Sequence, residues 1–228
     1  MVNRHILTLT EVVNEKMKEV LLLNSKFFSL DDEKQIKILN AAIKVYVQKG
    51  YDHASTNEIV KEAGISKGLL FHYFKNKKTL YLFLFDHCVK VVMEDFYKKT
   101  VMGEPDFFKR LNDMTLIKIE LLQTYPDIFR FFERVMLEES EQIRSDFQSR
   151  IKEFSASSST WLFDGIDHSR FREDLDLEKA IKSMMWTFQG LSEEYLMKAK
   201  MKQQELDYDE VFAESKAYIE MFKQAFYK

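Results

Sequence analysis

"STNEIVKEAGISKGLLFHYF", residues 55–74, decides the reading of the whole chain. Ser55 and Glu58 stand at capping-box spacing, so a short helix is expected to open there and run through Glu62, with Ile59, Val60 and Ala63 as its apolar positions. Gly64 stops it. Ser66 then caps a second short helix that extends through Tyr73 or Phe74. Two short helices joined by Ala63-Gly64-Ile65 have the layout of a helix-turn-helix.

Upstream, a helix is expected from Ser29 as N-cap, with Asp31, Asp32 and Glu33 in its first turn, where the helix dipole favours carboxylates. Ile36, Leu39, Ile43, Tyr46 and Val47 form its apolar stripe, and Gly50 ends it. Ile6, Leu9, Val13, Met17, Val20 and Leu21 mark an amphipathic arm helix further upstream, within residues 1–28. Its apolar face could dock on the next domain, on a second subunit or on neither, and docking is the preferred reading. Downstream, Asn76 caps a long helix to about Thr100, "MGEP" at 102–105 breaks it, and helical periods continue over roughly 106–123, 127–139 and 141–164. Gly165 to Glu173 reads as a loop, and two last helices over roughly 176–200 and 208–227 carry dense apolar faces. With only six Gly and two Pro in 228 residues, few breakers interrupt these periods, and the fold class is all-α.

Composition excludes several functions. No apolar run approaches the ~20 residues that span a bilayer, and the first residues lack the pattern of a signal peptide, so a cytoplasmic protein without membrane contact is expected. The one cysteine, Cys88, has no internal partner, and no Cys/His cluster stands at zinc spacing. His87 beside Cys88 is no catalytic pair, because neighbours on a helix diverge by about 100 degrees. The acid pairs Glu138-Glu139, Asp174 with Asp176, and Glu193-Glu194 read as solvated helix faces and loop starts. No phosphate-binding glycine loop occurs. Neither catalytic residue, metal nor cofactor is therefore expected. Charge is uneven: residues 1–80 hold 13 Lys/Arg against 9 Asp/Glu, and residues 81–228 hold 21 against 28, so the two parts suit different partners.

Over residues 38–80, "ILNAAIKVYVQKGYDHASTNEIVKEAGISKGLLFHYFKNKKTL" resembles the N-terminal DNA-binding domain of the TetR family of bacterial transcriptional regulators. The resemblance rests on Ala41-Ala42, Gly50-Tyr51, Ile59, Ala63-Gly64-Ile65-Ser66, Gly68, Leu70, Tyr73-Phe74, Lys77 and Leu80. A weaker match, "FREDLDLEKAIKSMMWTFQGL" at 171–191, looks like the segment leading into the family's dimerisation helices. The resemblance implies a three-helix DNA-binding domain at 29–75 and an effector-binding and dimerisation bundle at 76–228, and leaves open the role of the arm at 1–28, which the family's core domain normally does not need.

The residues themselves point to the same surface independently. A helix of seven to nine residues fits the major groove. Leu70 and Phe74, four apart, face inward with Ile59 and leave Lys67, Gly68, Leu69, Phe71 and His72 outward. Lys67 can donate to a guanine edge or a phosphate, and Leu69 and Phe71 can pack on a thymine methyl. Gly68 weakens a helix by about 1 kcal/mol relative to Ala, which close backbone approach to DNA would explain. By resemblance, Ser55, Thr56 and Asn57 would meet phosphates or a base edge, Tyr73 a phosphate and Lys77 the DNA backbone. The tyrosine common in the family at the position of Phe71 often contacts a phosphate through its hydroxyl, which Phe71 lacks. Lys75 and Lys78 add positive field.

The aromatic residues of the middle region exceed what a small bundle requires, although core packing explains any one of them. The resemblance implies a pocket for a small apolar or aromatic effector, with Phe108, Tyr125, Phe129, Trp161 and Trp186 as candidate lining. The function expected is that of a ligand-responsive repressor, not an enzyme, binding a palindromic double-stranded DNA operator as a homodimer. The alternative is a helical apolar-ligand carrier or enzyme with an incidental basic segment, which would have no need of Gly68 and outward Leu69 and Phe71 beside four lysines.

Overall fold

A computed structural model describes residues 25–100, 103–150 and 165–228. Among them regular structure is helical, and the sole strand-like pairing is one bridge between Phe171 and Tyr227. The arm helix expected over residues 6–23 and the end of the helix expected over 141–164 lie outside the described residues.

A short helix, α1 (Ser25–Phe28), precedes α2 (Asp32–His53). Asp31, not Ser29, caps α2: its carboxylate accepts the Lys34 backbone N–H at 2.9 Å and the Lys34 ammonium at 2.8 Å. The Ser29 hydroxyl instead donates to the Lys26 carbonyl of the preceding turn. A serine and an aspartate two residues apart both satisfy the capping rule, and α1 occupies the serine. Helical hydrogen bonding continues past Gly50 to His53, but Gly50 itself has φ 68 and breaks the regular path, so the glycine acts as a kink with one further turn beyond it. α3 (Thr56–Ala63) and α4 (Lys67–Phe74) form the helix-turn-helix, and α5 (Lys77–Lys99) follows. As expected, Asn76 caps α5 through its side-chain oxygen, which accepts the Thr79 N–H at 2.8 Å.

Next come α6 (Phe107–Thr124), α7 (Pro126–Met136) and α8, described over residues 141–150. The stretch read as a loop after Gly165 contains a 3-10 turn at His168–Arg170, and α9 (Leu177–Lys202) and α10 (Tyr208–Phe226) complete the described chain.

The described residues divide into two compact units, one holding 25–99 with 120–150 and the other 100 with 103–119 and 165–228. The core of the first gathers Phe27, Ile38, Ala42, Tyr46, Ile59, Leu70, Phe74, Leu84 and Phe131, so the helix-turn-helix and α5 share one apolar interior. In the second, Phe107, Phe108, Phe171, Met184, Ile219, Phe222 and Phe226 pack together. Among the described residues, no helix is long and apolar enough to cross a membrane.

Candidate nucleic-acid interface

The turn between α3 and α4 is built by residues that could be read directly. Ser55 caps α3 by accepting the Asn57 N–H at 3.2 Å. Glu58 directs its carboxylate mainly to the Lys49 ammonium, and that hydrogen bond holds it below the usual carboxylate range. The capping partner expected for Ser55 is thus shared with a cross-helix ion pair. Gly64 takes the left-handed conformation, φ 67 and ψ 35, that releases the chain from α3. Ser66 then accepts the Leu69 N–H at 3.2 Å and starts α4.

α4 divides its faces sharply. Leu70, Tyr73 and Phe74 are buried, whereas Lys67, Gly68, Leu69 and His72 are exposed and Phe71 is half-buried. Leu69 leaves 38% of its surface open beside a well-packed core. The Lys67 ammonium lies 5.9 Å from the centre of the Phe71 ring, so charge and apolar surface occupy one patch. A Cβ built on Gly68 would meet nothing within 4 Å, so the fold does not require a glycine there. At the start of α3, Asn57 is exposed and Ser55 and Thr56 are partly exposed.

Two expected DNA contacts have partners within the protein. The Tyr73 ring is buried, 5.9 Å from Phe27 and 5.8 Å from His72 between centroids. The Lys77 ammonium donates to the carbonyls of Asp52 and Ala54, both at 3.1 Å, and sits 4.5 Å from the centre of the Tyr51 ring. It closes the end of α2. Lys78 pairs with Asp146 at 2.7 Å, so its charge has a partner within the protein.

Sequence reasoning missed three features. Lys37 extends from α2 to the turn, placing its ammonium 3.3 Å from where a Gly64 Cβ would lie. Spacing on α2 alone carries no sign of that reach. Lys75 follows α4 with φ 54 and ψ −49, and the Asn76 N–H closes a three-residue turn on the Phe74 carbonyl at 2.5 Å, a strained geometry for a residue with a side chain. Glu138, read as a solvated acid, accepts the Tyr51 N–H at 2.8 Å and the Glu139 and Ser140 N–H groups at 3.1 Å, while the Ser140 hydroxyl donates to Asp52 at 2.8 Å. Beside them the Arg134 guanidinium fills the space at Gly50, where a Cβ would lie 2.6 Å from its Nη2. The other acid pairs keep surface partners: Asp174 with Arg172, Asp176 with Lys179, Glu194 with Lys198 and Glu193 with Gln189.

The described candidate effector residues belong to both units. Phe108 lies 2% exposed in the core of the second unit, between Phe107, Phe171 and Tyr227. Trp186 is 62% exposed on α9 with the Lys182 ammonium over its ring. In the first unit the Tyr125 hydroxyl donates to Asp95 at 3.4 Å, and Phe129 packs edge-on against Phe132. Trp161 lies outside the described residues. Cys88 is fully buried and its thiol is pushed up to about 12 by burial, while burial pulls His87 down to about 4, so neither is poised for chemistry at neutral pH. Among the described residues no group of three His, Cys, Asp or Glu could hold a metal ion.

A short helix held by a glycine turn against a partner helix, with its polar and apolar residues turned outward, defines the helix-turn-helix class of DNA-binding domains. The domain is of the TetR family: residues 38–83 match the family model described as bacterial regulatory proteins, tetR family. The HTH-type transcriptional regulator YuxN of Bacillus subtilis is 42% identical over 55 residues, which cover 24% of this chain and 19% of that protein. The fatty acid metabolism regulator protein of Bacillus subtilis is 36% identical over 52 residues, 23% of this chain and 27% of its own length. The chain thus spans under a third of the length of these relatives. The crystal structure of the Bacillus subtilis transcriptional regulator FadR in complex with stearoyl-CoA shares the fold with a TM-score of 0.58 at 22% identity, covering 82% of this chain and 96% of that one.

Proposed function

We propose that this protein is a cytoplasmic transcriptional regulator, a repressor that grips a palindromic operator as a homodimer and releases it when a small apolar effector binds. The observation that carries this reading is the outward face of α4, where Gly68 exposes bare backbone between Lys67 and Leu69. Sequence would be read by Lys67, Leu69, Phe71 and His72, with Ser55, Thr56 and Asn57 fixing α3 on the phosphates. Lys37 and Lys75, both exposed, add positive charge on either side of the turn.

Homodimerisation is supported by the open apolar side chains of the last two helices. Met185, Trp186, Met197 and Met201 on α9 and Met221 on α10 are 42% to 82% exposed. A second copy of these helices would cover that surface, and two half-sites about one helical turn apart would then follow from two-fold symmetry. The stearoyl-CoA bound by FadR makes a fatty acyl compound the first effector to try.

A gel shift with DNA from upstream of the protein's own gene, at two salt concentrations, tests the reading. Retardation beyond that of unrelated DNA, weakening as salt rises, is expected. Equal retardation of both duplexes at every salt concentration refutes it.

A further inference from the structure

We propose that Phe27 is a positioning residue for the reading helix, and that the sequence-specific head of this protein includes Phe27, upstream of the segment that matches the family. Phe27 is completely buried. Its ring lies 5.0 Å from Phe74, 5.9 Å from Tyr73 and 5.4 Å from Phe83 between centroids, so it fills the seam between α4 and the start of α5. Tyr73 and Phe74 are two of the three buried residues of α4, and the third is Leu70.

Eight residues are too few for a helix to hold its own direction, so the tilt of α4 is set by what its inner face rests on. Part of that rest is a ring from α1, set beside α3 and the Phe83 ring of α5, which lies 5.1 Å from Phe74. The Phe27 ring is itself held: the Gln35 side chain donates to the Leu30 carbonyl at 2.8 Å and reaches the Phe28 carbonyl at 3.5 Å, and the Leu30 N–H donates back to the Phe27 carbonyl at 3.1 Å. Phe28 adds a second ring, 5.7 Å from Phe83. Cores close-packed to this degree transmit the loss of one ring as movement of its neighbours. A change in tilt carries Gly68, Leu69 and Phe71 with it and degrades base contacts, which depend on direction. Phosphate attraction, which depends on charge, is left in place.

This role rests on the DNA-binding reading, and the test separates the two. The full-length protein and its Phe27→Ala, Phe27→Leu and Phe107→Ala variants are compared by fluorescence anisotropy on an operator and on an unrelated duplex, at a temperature where each is folded by circular dichroism. Phe107 is the control, because it is equally buried but belongs to the other core. Phe27→Ala is expected to lower the operator preference by about tenfold, comparable to one lost base-pair contact, with unchanged affinity and salt slope on the unrelated duplex. Phe27→Leu should recover most of the preference, and Phe107→Ala should keep all of it. If Phe27→Ala does not fold, Phe27→Leu decides through a smaller fall in preference together with faster hydrogen exchange in α4. An unchanged preference in the folded Phe27 variants, or an equal fall in Phe107→Ala, overturns the positioning role alone. A wild-type protein with no preference for any duplex overturns the DNA reading and the positioning role with it.

Discussion

Replacing Gly68 by alanine should move stability and DNA affinity in opposite directions. The added methyl meets no protein atom within 4 Å, so nothing in the folded chain resists it. Gly68 also has no positive φ that a side chain would strain. Alanine restricts the unfolded chain and favours the helix, and the gain is about 0.5–1 kcal/mol. For a chain of this size that raises the melting temperature by roughly 1–4 °C. On DNA the same methyl stands where the backbone of α4 would approach most closely. Overpacking of a fitted contact costs about 1–3 kcal/mol, which is roughly a five- to 150-fold loss of operator affinity. Thermal unfolding by circular dichroism and an anisotropy titration on the operator measure the two effects. A lower melting temperature would contradict the open geometry at Gly68. A higher one with undiminished operator affinity would refute the proposal that the glycine is there for DNA.

Other residues have consequences equally open to measurement. Lys77→Ala should destabilise the protein by about 1–2 kcal/mol in urea unfolding, since it removes two carbonyl partners and a contact with the Tyr51 ring. Gly50→Ala should cost about 2–4 kcal/mol in the same assay, because its φ of 68 disfavours any side chain and Arg134 occupies the space of the Cβ. His87, held near 4 first by burial and then by Lys90, binds its proton less readily when folded than at its ordinary value of 6.5. Between those values the unfolded chain holds more protons, so stability is lost as pH falls from 6.5 toward 4, by about 2–3 kcal/mol at most. Urea unfolding across that range should show a shallower pH dependence in His87→Phe than in the wild type.

Local chemistry made the helix-turn-helix legible. Ser55, Gly64, Ser66 and Asn76 each act within three residues of their own position: the three polar side chains begin helices and the left-handed Gly64 ends one. The inward pair Leu70 and Phe74 and the outward Leu69 followed from helical period alone. Ser29 misled because Asp31 offers the same chemistry two residues later, and only the presence of α1 decides between them. Contacts that join distant parts of the chain left no local trace. Glu138 reaches Tyr51 across 87 positions, so an acid that reads as solvated serves the first core, and Lys77 reaches Asp52 across 25, a contact that its spacing does not announce. Aromatic roles were hidden for the same reason. Phe108 and Trp186 both sit at apolar helical positions, but tertiary packing buries one and leaves the other open.

The sequences that the protein selects from a pool of random duplexes, compared between wild type and Leu69→Ala, test most directly whether the outward face of α4 reads DNA. Wild-type protein should enrich an inverted repeat, and Leu69→Ala should relax or change the base preference at one position in each half-site while leaving affinity for unrelated DNA nearly intact. Enrichment of no sequence by the wild type, or the same preferences in both proteins, would contradict the account.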